Sequence, residues 1–304
     1  MGTILLIGNG LNICVAKSVA TKNLLANHTI FSRKEIDRLL GQGKGFSSIF
    51  EASFGKDVDQ DSVVKIFQKI KNDIKLLNEK RNGIYDAVRE NLGRIDGIIT
   101  TNYDFAIEHN VFGCGRAKTE AIRRNCGYRF KSENKTIWHI HGDLNHIQNL
   151  CLGYFGYQKY LKASHSNLSY RITKRNDLFA RLEKQMPESL YRFLVDDVYM
   201  LGLGLTENEL IIWSVLTLRR ELIRRGLYSF CGVKENKIIV YDVRCRDSGE
   251  DVSSAEKESL EKYYDSYSIT YRLKHISKEE EYRPFYQESL KEIFSELGRG
   301  PERD

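Results

Sequence analysis

Two hydrophobic rhythms alternate along this chain. Short uninterrupted apolar runs, Ile4-Leu5-Leu6-Ile7, Ile98-Ile99, Ile137-Trp138, Tyr199-Met200-Leu201 and Ile238-Ile239-Val240-Tyr241, are bounded by glycine or polar residues. Runs this short do not fill a globular helix, and continuous apolarity suits strands covered on both faces. Elsewhere the apolar residues recur every three or four positions. After the first run, Leu11, Val15, Val19 and Leu24-Leu25 follow helical spacing. Ser32 with Glu35 reads as a capping box before Ile36, Leu39 and Leu40. Phe46, Ile49, Phe50 and Phe54 form another stripe, Val63, Phe67, Ile70, Ile74 and Leu77 the clearest one, and Ile84, Val88 and Leu92 the next. Such a stretch is too long for a simple crossover, so residues 30–95 are expected to form a helical insertion over the sheet.

Residues 144–195 read as a second insertion, with Tyr154, Tyr157, Tyr160 and Tyr170 among basic residues. Thr206 with Glu209 reads as a capping box opening a helix that carries Ile212, Trp213 and Leu216. In the tail, Ser253 with Glu256 opens a helix, Ile269-Thr270-Tyr271 reads as a strand, and Tyr286, Leu290, Ile293, Phe294 and Leu297 stripe a last helix. The pattern predicts an α/β chain: a Rossmann-like parallel sheet with helical insertions and a small C-terminal α+β tail. The expected division is residues 1–245 as one domain and 246–304 as a helix–strand–helix extension.

Three of the apolar runs lead into polar segments: Gly8-Asn9-Gly10-Leu11-Asn12, Thr100-Thr101-Asn102-Tyr103-Asp104 and His139-Ile140-His141-Gly142-Asp143. In an open parallel sheet, ligands gather beyond the carboxyl ends of the strands. Gly8 and Gly10 permit a tight bend and close approach of a pyrophosphate at a helix start, although the third glycine of the dinucleotide fingerprint is missing. A plain strand-to-helix connection explains an isolated turn equally well. Asn102 donates and accepts hydrogen bonds, which suits ribose hydroxyls or a positioned water. His141 titrates near neutral pH, and Gly142 leaves room beside it. Asn102 and Asp104 can instead cap a helix beginning near Phe105. His139 and His141 face one side if the strand continues that far, which opens a metal reading with Asp143.

The order and spacing of these segments resemble the sirtuin family, in particular its divergent branch of bacterial antiphage defence. Gly8-Asn9-Gly10 stands where sirtuins carry a GAG turn, Thr101-Asn102 with Asp104 matches TQN-x-D, and His141-Gly142 matches the catalytic HG pair. Gly202-Leu203-Gly204-Leu205-Thr206 is similar to the late glycine segment that binds the cofactor's ribose and phosphates. Deacylating sirtuins carry a zinc module of two CxxC pairs. The six cysteines here, Cys14, Cys114, Cys126, Cys151, Cys231 and Cys245, form no CxxC, so no structural metal is expected.

The resemblance implies cleavage of the nicotinamide–ribose bond of NAD, with NAD as substrate. Asn102 would hold the ribose hydroxyls and water, and His141 would be the general base. Gly8, Asn9, Gly10 and Asn12 would cradle the pyrophosphate, with Gly202, Gly204 and Thr206 opposite. Thr101 and Asp104 complete the expected cofactor contacts, Asp104 either fixing the turn or standing near nicotinamide. The resembling chains usually work as homo-oligomers released by a partner, here a HerA-type ATPase in the first instance. A non-catalytic NAD or ADP-ribose sensor, a metal-dependent hydrolase and a zinc-free deacylase are the alternatives.

With 304 residues and 41% hydrophobic content, the chain is sized for one large core or two modest ones. A net charge of +6 does not announce nucleic acid, and the irregular tyrosine spacing does not favour it. Arg219-Arg220 and Arg224-Arg225 are expected to complement a helix dipole. No apolar stretch approaches a membrane span, and the cytoplasm is the expected compartment.

Overall fold

A computed structural model describes residues 1–14, 21–42, 44–53, 65–66, 68–72, 81–114, 117–122, 127–132, 134–151, 157–158, 176–205, 209–245 and 254–298. Its strands are β1 (Thr3–Ile7), β2 (Gly97–Thr100), β3 (Glu120–Ala121), β4 (Tyr128–Ser132), β5 (Lys135–His139), β6 (Asp197–Leu201), β7 (Ile238–Cys245) and β8 (Thr270–Ile276). They form one sheet in the order β3-β4-β5-β2-β1-β6-β7-β8. From β5 to β8 all pairings are parallel, and β4 with β3 adds an antiparallel edge. This is the α/β, Rossmann-like architecture that the apolar runs predict.

β1 shows why the fold follows from the sequence. It lies between β2 and β6, with Ile7 opposite Thr100 on one side and Leu201 on the other. Ile4, Leu5, Leu6 and Ile7 are all fully buried. Successive side chains take opposite faces, so Leu5 and Ile7 enter one apolar cluster while Ile4 and Leu6 enter the other. Each such side chain contributes about 1.5–3 kcal/mol of burial.

Helices cover both faces. Ile36 from Arg33–Gly41, Ile49 and Phe50 from Phe46–Ala52, Ile84 and Val88 from Ile84–Glu90, and Leu290 and Ile293 from Tyr282–Gly298 join the first cluster. Leu182 from Leu178–Gln185, Phe193 from Glu188–Val195, Val215 from Leu210–Arg224 and Tyr264 from Ser254–Asp265 join the second. The Ser32–Glu35 box is formed: the Ser32 hydroxyl accepts from the Glu35 N–H, and the Glu35 carboxylate accepts from the Ser32 N–H at 2.7 Å. Of the longest predicted stripe, Ile70 is buried, whereas Val63, Phe67, Ile74 and Leu77 lie outside the described residues, as do Phe54, Val15, Val19, Tyr154, Tyr160 and Tyr170.

The tail's strand and last helix both form. β8 continues the main sheet beside β7, and the Tyr282–Gly298 helix packs on Ile84–Glu90 and on the short Gly10–Ile13 helix. Arg219 is not the exposed dipole partner expected of it. It is 1% exposed, and its guanidinium donates to the Asn236 side chain and to the carbonyls of Asn236, Tyr267 and Ser268, tying its helix to the segment entering β8. Arg224 and Arg225 both pair with Glu221. No helix among the described residues is long and apolar enough to cross a membrane.

Candidate active site at the carboxyl edge of the sheet

Because β5, β2, β1 and β6 are parallel neighbours, the loops that leave their carboxyl ends lie side by side. Main-chain bonds lock the first loop to the fourth. The Gly8 N–H donates to Leu201 O and the Gly10 N–H to Gly202 O, both at 2.9 Å. A Cβ on Gly8 would meet the Gly202 carbonyl, and one on Gly10 would meet the Tyr286 hydroxyl and stand 2.7 Å from Gly202 Cα. Gly202 has φ +68°, and a Cβ there would be 2.7 Å from Leu11 Cδ1. The approach that requires these glycines is therefore made by the facing loop and by Tyr286. Gly204 is exposed with no neighbour within 4 Å of a Cβ, and Thr206 lies outside the described residues.

Asn9 accepts from the Asn12 and Ile13 N–H groups and starts a helix of only Gly10–Ile13. Asn12 is buried and reads two neighbours: its Oδ1 accepts from the Tyr85 hydroxyl and its Nδ2 donates to Asp104 Oδ2, both at 2.9 Å. Asp104 Oδ1 accepts from the Ala106 N–H at 2.8 Å, closing a turn at the start of the Ala106–Phe112 helix. Burial, reinforced by Glu108 and opposed by the Ala106 bond, pushes Asp104 up to about 6. These bonds join Asp104 to the Asn12 side chain and to the turn that follows Asn102.

Thr101 and Asn102 extend β2. The Thr101 N–H donates to Ile7 O, and the Asn102 N–H donates to Thr100 Oγ1 at 3.0 Å. Asn102 Nδ2 reaches Gly8 O at 3.4 Å, while its Oδ1 is buried without a partner. β5 stops at His139, opposite Thr100, so His141 and Asn102 each stand two residues past that pair.

The early end of β5 separates the two histidines. His139 is fully buried, with Nδ1 bonded to Asn102 O at 3.0 Å and Nε2 to Glu108 Oε1 at 2.6 Å. Burial works against its charge, yet the Glu108 carboxylate and the Asn102 carbonyl raise it to about 9. It is a buried imidazolium with both nitrogens used. His141 is the opposite case. Burial presses it down to about 3 against a hydrogen bond with the Thr101 backbone, so its ring is neutral at pH 7. Its Nε2 has no hydrogen-bond partner. The rings of Tyr157 and Tyr103 stand 5.3 and 6.4 Å away. The near-neutral titration expected of His141 is thus overturned by desolvation.

Gly142 does not open room for a ligand. Its φ is +86°, and a Cβ would stand 2.8 Å from Asn149 O. Asp143 Oδ1 accepts from the Asn145 N–H and bonds His146 Nδ1 at 3.0 Å. His139, His141 and Asp143 consequently serve different partners, and among the described residues no group of three or more His, Cys, Asp or Glu could hold a metal ion.

Glu209 is the residue the sequence reading assigned elsewhere. The expected box would make it the third residue of its helix, but the helix begins at Leu210 with Glu209 at the N-cap position and no side-chain cap bond. Its Oε2 is instead 3.5 Å from His141 Nε2, and burial pushes its carboxyl up to about 7. Three neighbouring loops thereby present buried polar atoms without partners: Asn102 Oδ1, His141 Nε2 and Glu209 Oε2. An unsatisfied buried polar group costs about 1–3 kcal/mol, so the three atoms together make this edge the candidate ligand site.

The architecture is that of an α/β protein with polar side chains gathered at the carboxyl ends of its parallel strands. Residues 96–205 match the family model of the SIR2-like domain. The match contains Asn102, Asp104, His141, Gly202 and Gly204, and it supports a sirtuin-like assignment. SIR2-like proteins are commonly NAD-dependent enzymes, and the matched segment suggests an NAD-related function. No curated protein matches the chain.

Proposed function

We propose that this protein is an NAD glycohydrolase, cleaving the nicotinamide–ribose bond to give nicotinamide and ADP-ribose. The observation that carries the reading is the pairing of a neutral, desolvated His141 with the orphaned Asn102 carbonyl at the carboxyl edge of a SIR2-like segment. In this reaction positive charge develops on the ribose as nicotinamide leaves, and water supplies the hydroxyl that replaces it. Asn102 Oδ1 accepts from the ribose or from that water, and Asp104 holds the turn that aims it. His141 Nε2 carries a free lone pair and takes the proton of the attacking group. Gly8, Asn9, Gly10, Asn12, Thr101, Gly202, Gly204 and Thr206 are the proposed lining on the phosphate and ribose side.

The wider reading is an antiphage-defence effector that depletes NAD. It acts in the cytoplasm as a homo-oligomer, with residues 1–245 as the NAD-binding unit, and is released by a separately encoded activator, with a HerA-type ATPase the first to test. Nicotinamide release from NAD by purified protein tests the core of it, alone and with such a partner. Chelator-resistant release that falls about 10²–10⁴-fold in His141→Ala is the expected result, because that is the usual range for a removed acid–base group. Asn102→Ala is expected to fall comparably. NAD binding without release under both conditions would transfer the conclusion to a non-catalytic sensor.

A further inference from the structure

Glu209 and His141 come from different strand ends, and nothing in the sequence pattern pairs them. Yet the Glu209 carboxyl lies with Oε2 3.5 Å from His141 Nε2, and neither atom has a hydrogen-bond partner. The N-cap role that would have occupied this carboxyl is not taken up. His141 is fixed from its other side by the Thr101 backbone and packed by Tyr157 and Tyr103, so Nε2 is the ring atom left to work.

We infer that Glu209 is a positioning residue for His141, its carboxylate standing beside Nε2 to stabilise the imidazolium that forms when His141 takes a proton from substrate. The inference rests on reading His141 as the base of NAD cleavage. The step balances in protons and electron pairs. His141 Nε2 uses its lone pair to take a proton from the substrate or water hydroxyl, whose O–H electron pair stays on oxygen. The proton stays on Nε2 until it is returned to product or solvent, and the positive charge of the imidazolium is met by the Glu209 carboxylate 3.5 Å away. Burial raises the Glu209 carboxyl to about 7, so its charge beside Nε2 changes near neutral pH. The other titratable groups here are the Tyr103 and Tyr157 hydroxyls and the Cys151 thiol. Tyr103 donates to Cys151 O at 2.9 Å and is held well above its ordinary range by burial, with Cys151 and Glu209 adding to the shift, so it stays neutral.

The test is an NMR titration of the His141 ring nitrogens in the full chain without NAD, run beside nicotinamide release. In wild type, the His141 Nε2 signal is expected to respond to a transition near pH 7, and Glu209→Gln is expected to abolish that response. In the assay, Glu209→Gln should lower kcat by about ten- to a hundredfold, below the full loss for a removed base, with KM within about twofold and partial recovery in Glu209→Asp. Identical His141 titrations in wild type and Glu209→Gln would overturn the pairing. An altered titration in a protein that releases no nicotinamide, alone or activated, would sustain the pair and remove the NAD-cleaving reading instead.

Discussion

His139 and His141 are two residues apart and carry opposite electrostatic consequences. His139 is raised from 6.5 to about 9 in the folded state. Its contribution is therefore complete below pH 6.5 and lost as pH rises toward about 9. His141 is lowered from 6.5 to about 3, so its contribution is present above pH 6.5 and lost as pH falls toward 3. Asp104, raised from 3.8 to about 6, works against folding as pH rises through that interval. Urea unfolding across pH should show the His141 effect as a difference: His141→Gln is expected to be less sensitive than wild type between pH 6.5 and 4. Glu108→Gln should cost about 3–5 kcal/mol at pH 7, because it leaves the His139 charge buried without its partner. The histidine segment was legible as chemistry, but which histidine is free was not. That depends on where β5 stops and on Glu108, which arrives from a helix with no sequence signal linking it to the strand.

Among elements, the two glycine loops act as one unit. Their mutual hydrogen bonds and missing Cβ atoms make Gly8→Ala and Gly202→Ala costly, about 1–3 kcal/mol each from overpacking, with backbone strain added at Gly202. Gly204→Ala has open space and should fall within about 0.5 kcal/mol of wild type in the same thermal unfolding measurement. A glycine turn was plain in the sequence. What fills the space beside it was not, because the contact comes from a strand end nearly two hundred positions away and from Tyr286. The capping boxes make the same point. Ser32–Glu35 formed because local geometry suffices, whereas Glu209 was drawn to a site by tertiary packing that overrides a four-residue pattern.

At the scale of the molecule, the sheet order was only partly foreseeable. Short apolar runs identify the central strands, since burial on both faces leaves a compositional trace. The edge hairpin of β3 and β4 escapes that rule: β3 has two exposed residues and β4 alternates buried with partly exposed ones. The tail's elements were legible from their stripes, but their docking was not. Removing residues 282–298 would uncover Ile84, Val88 and Leu11 beneath Phe285, Leu290 and Ile293. The expected outcome is loss of a cooperative unfolding transition, checked by circular dichroism and calorimetry on the shortened chain.

The contact of Tyr286 with Gly10 also orders events in time. Gly10 and Tyr286 lie far apart in the sequence, so the turn is buttressed only after the last helix has docked. A folding intermediate in which that helix is still undocked holds the turn without the hydroxyl that packs on it.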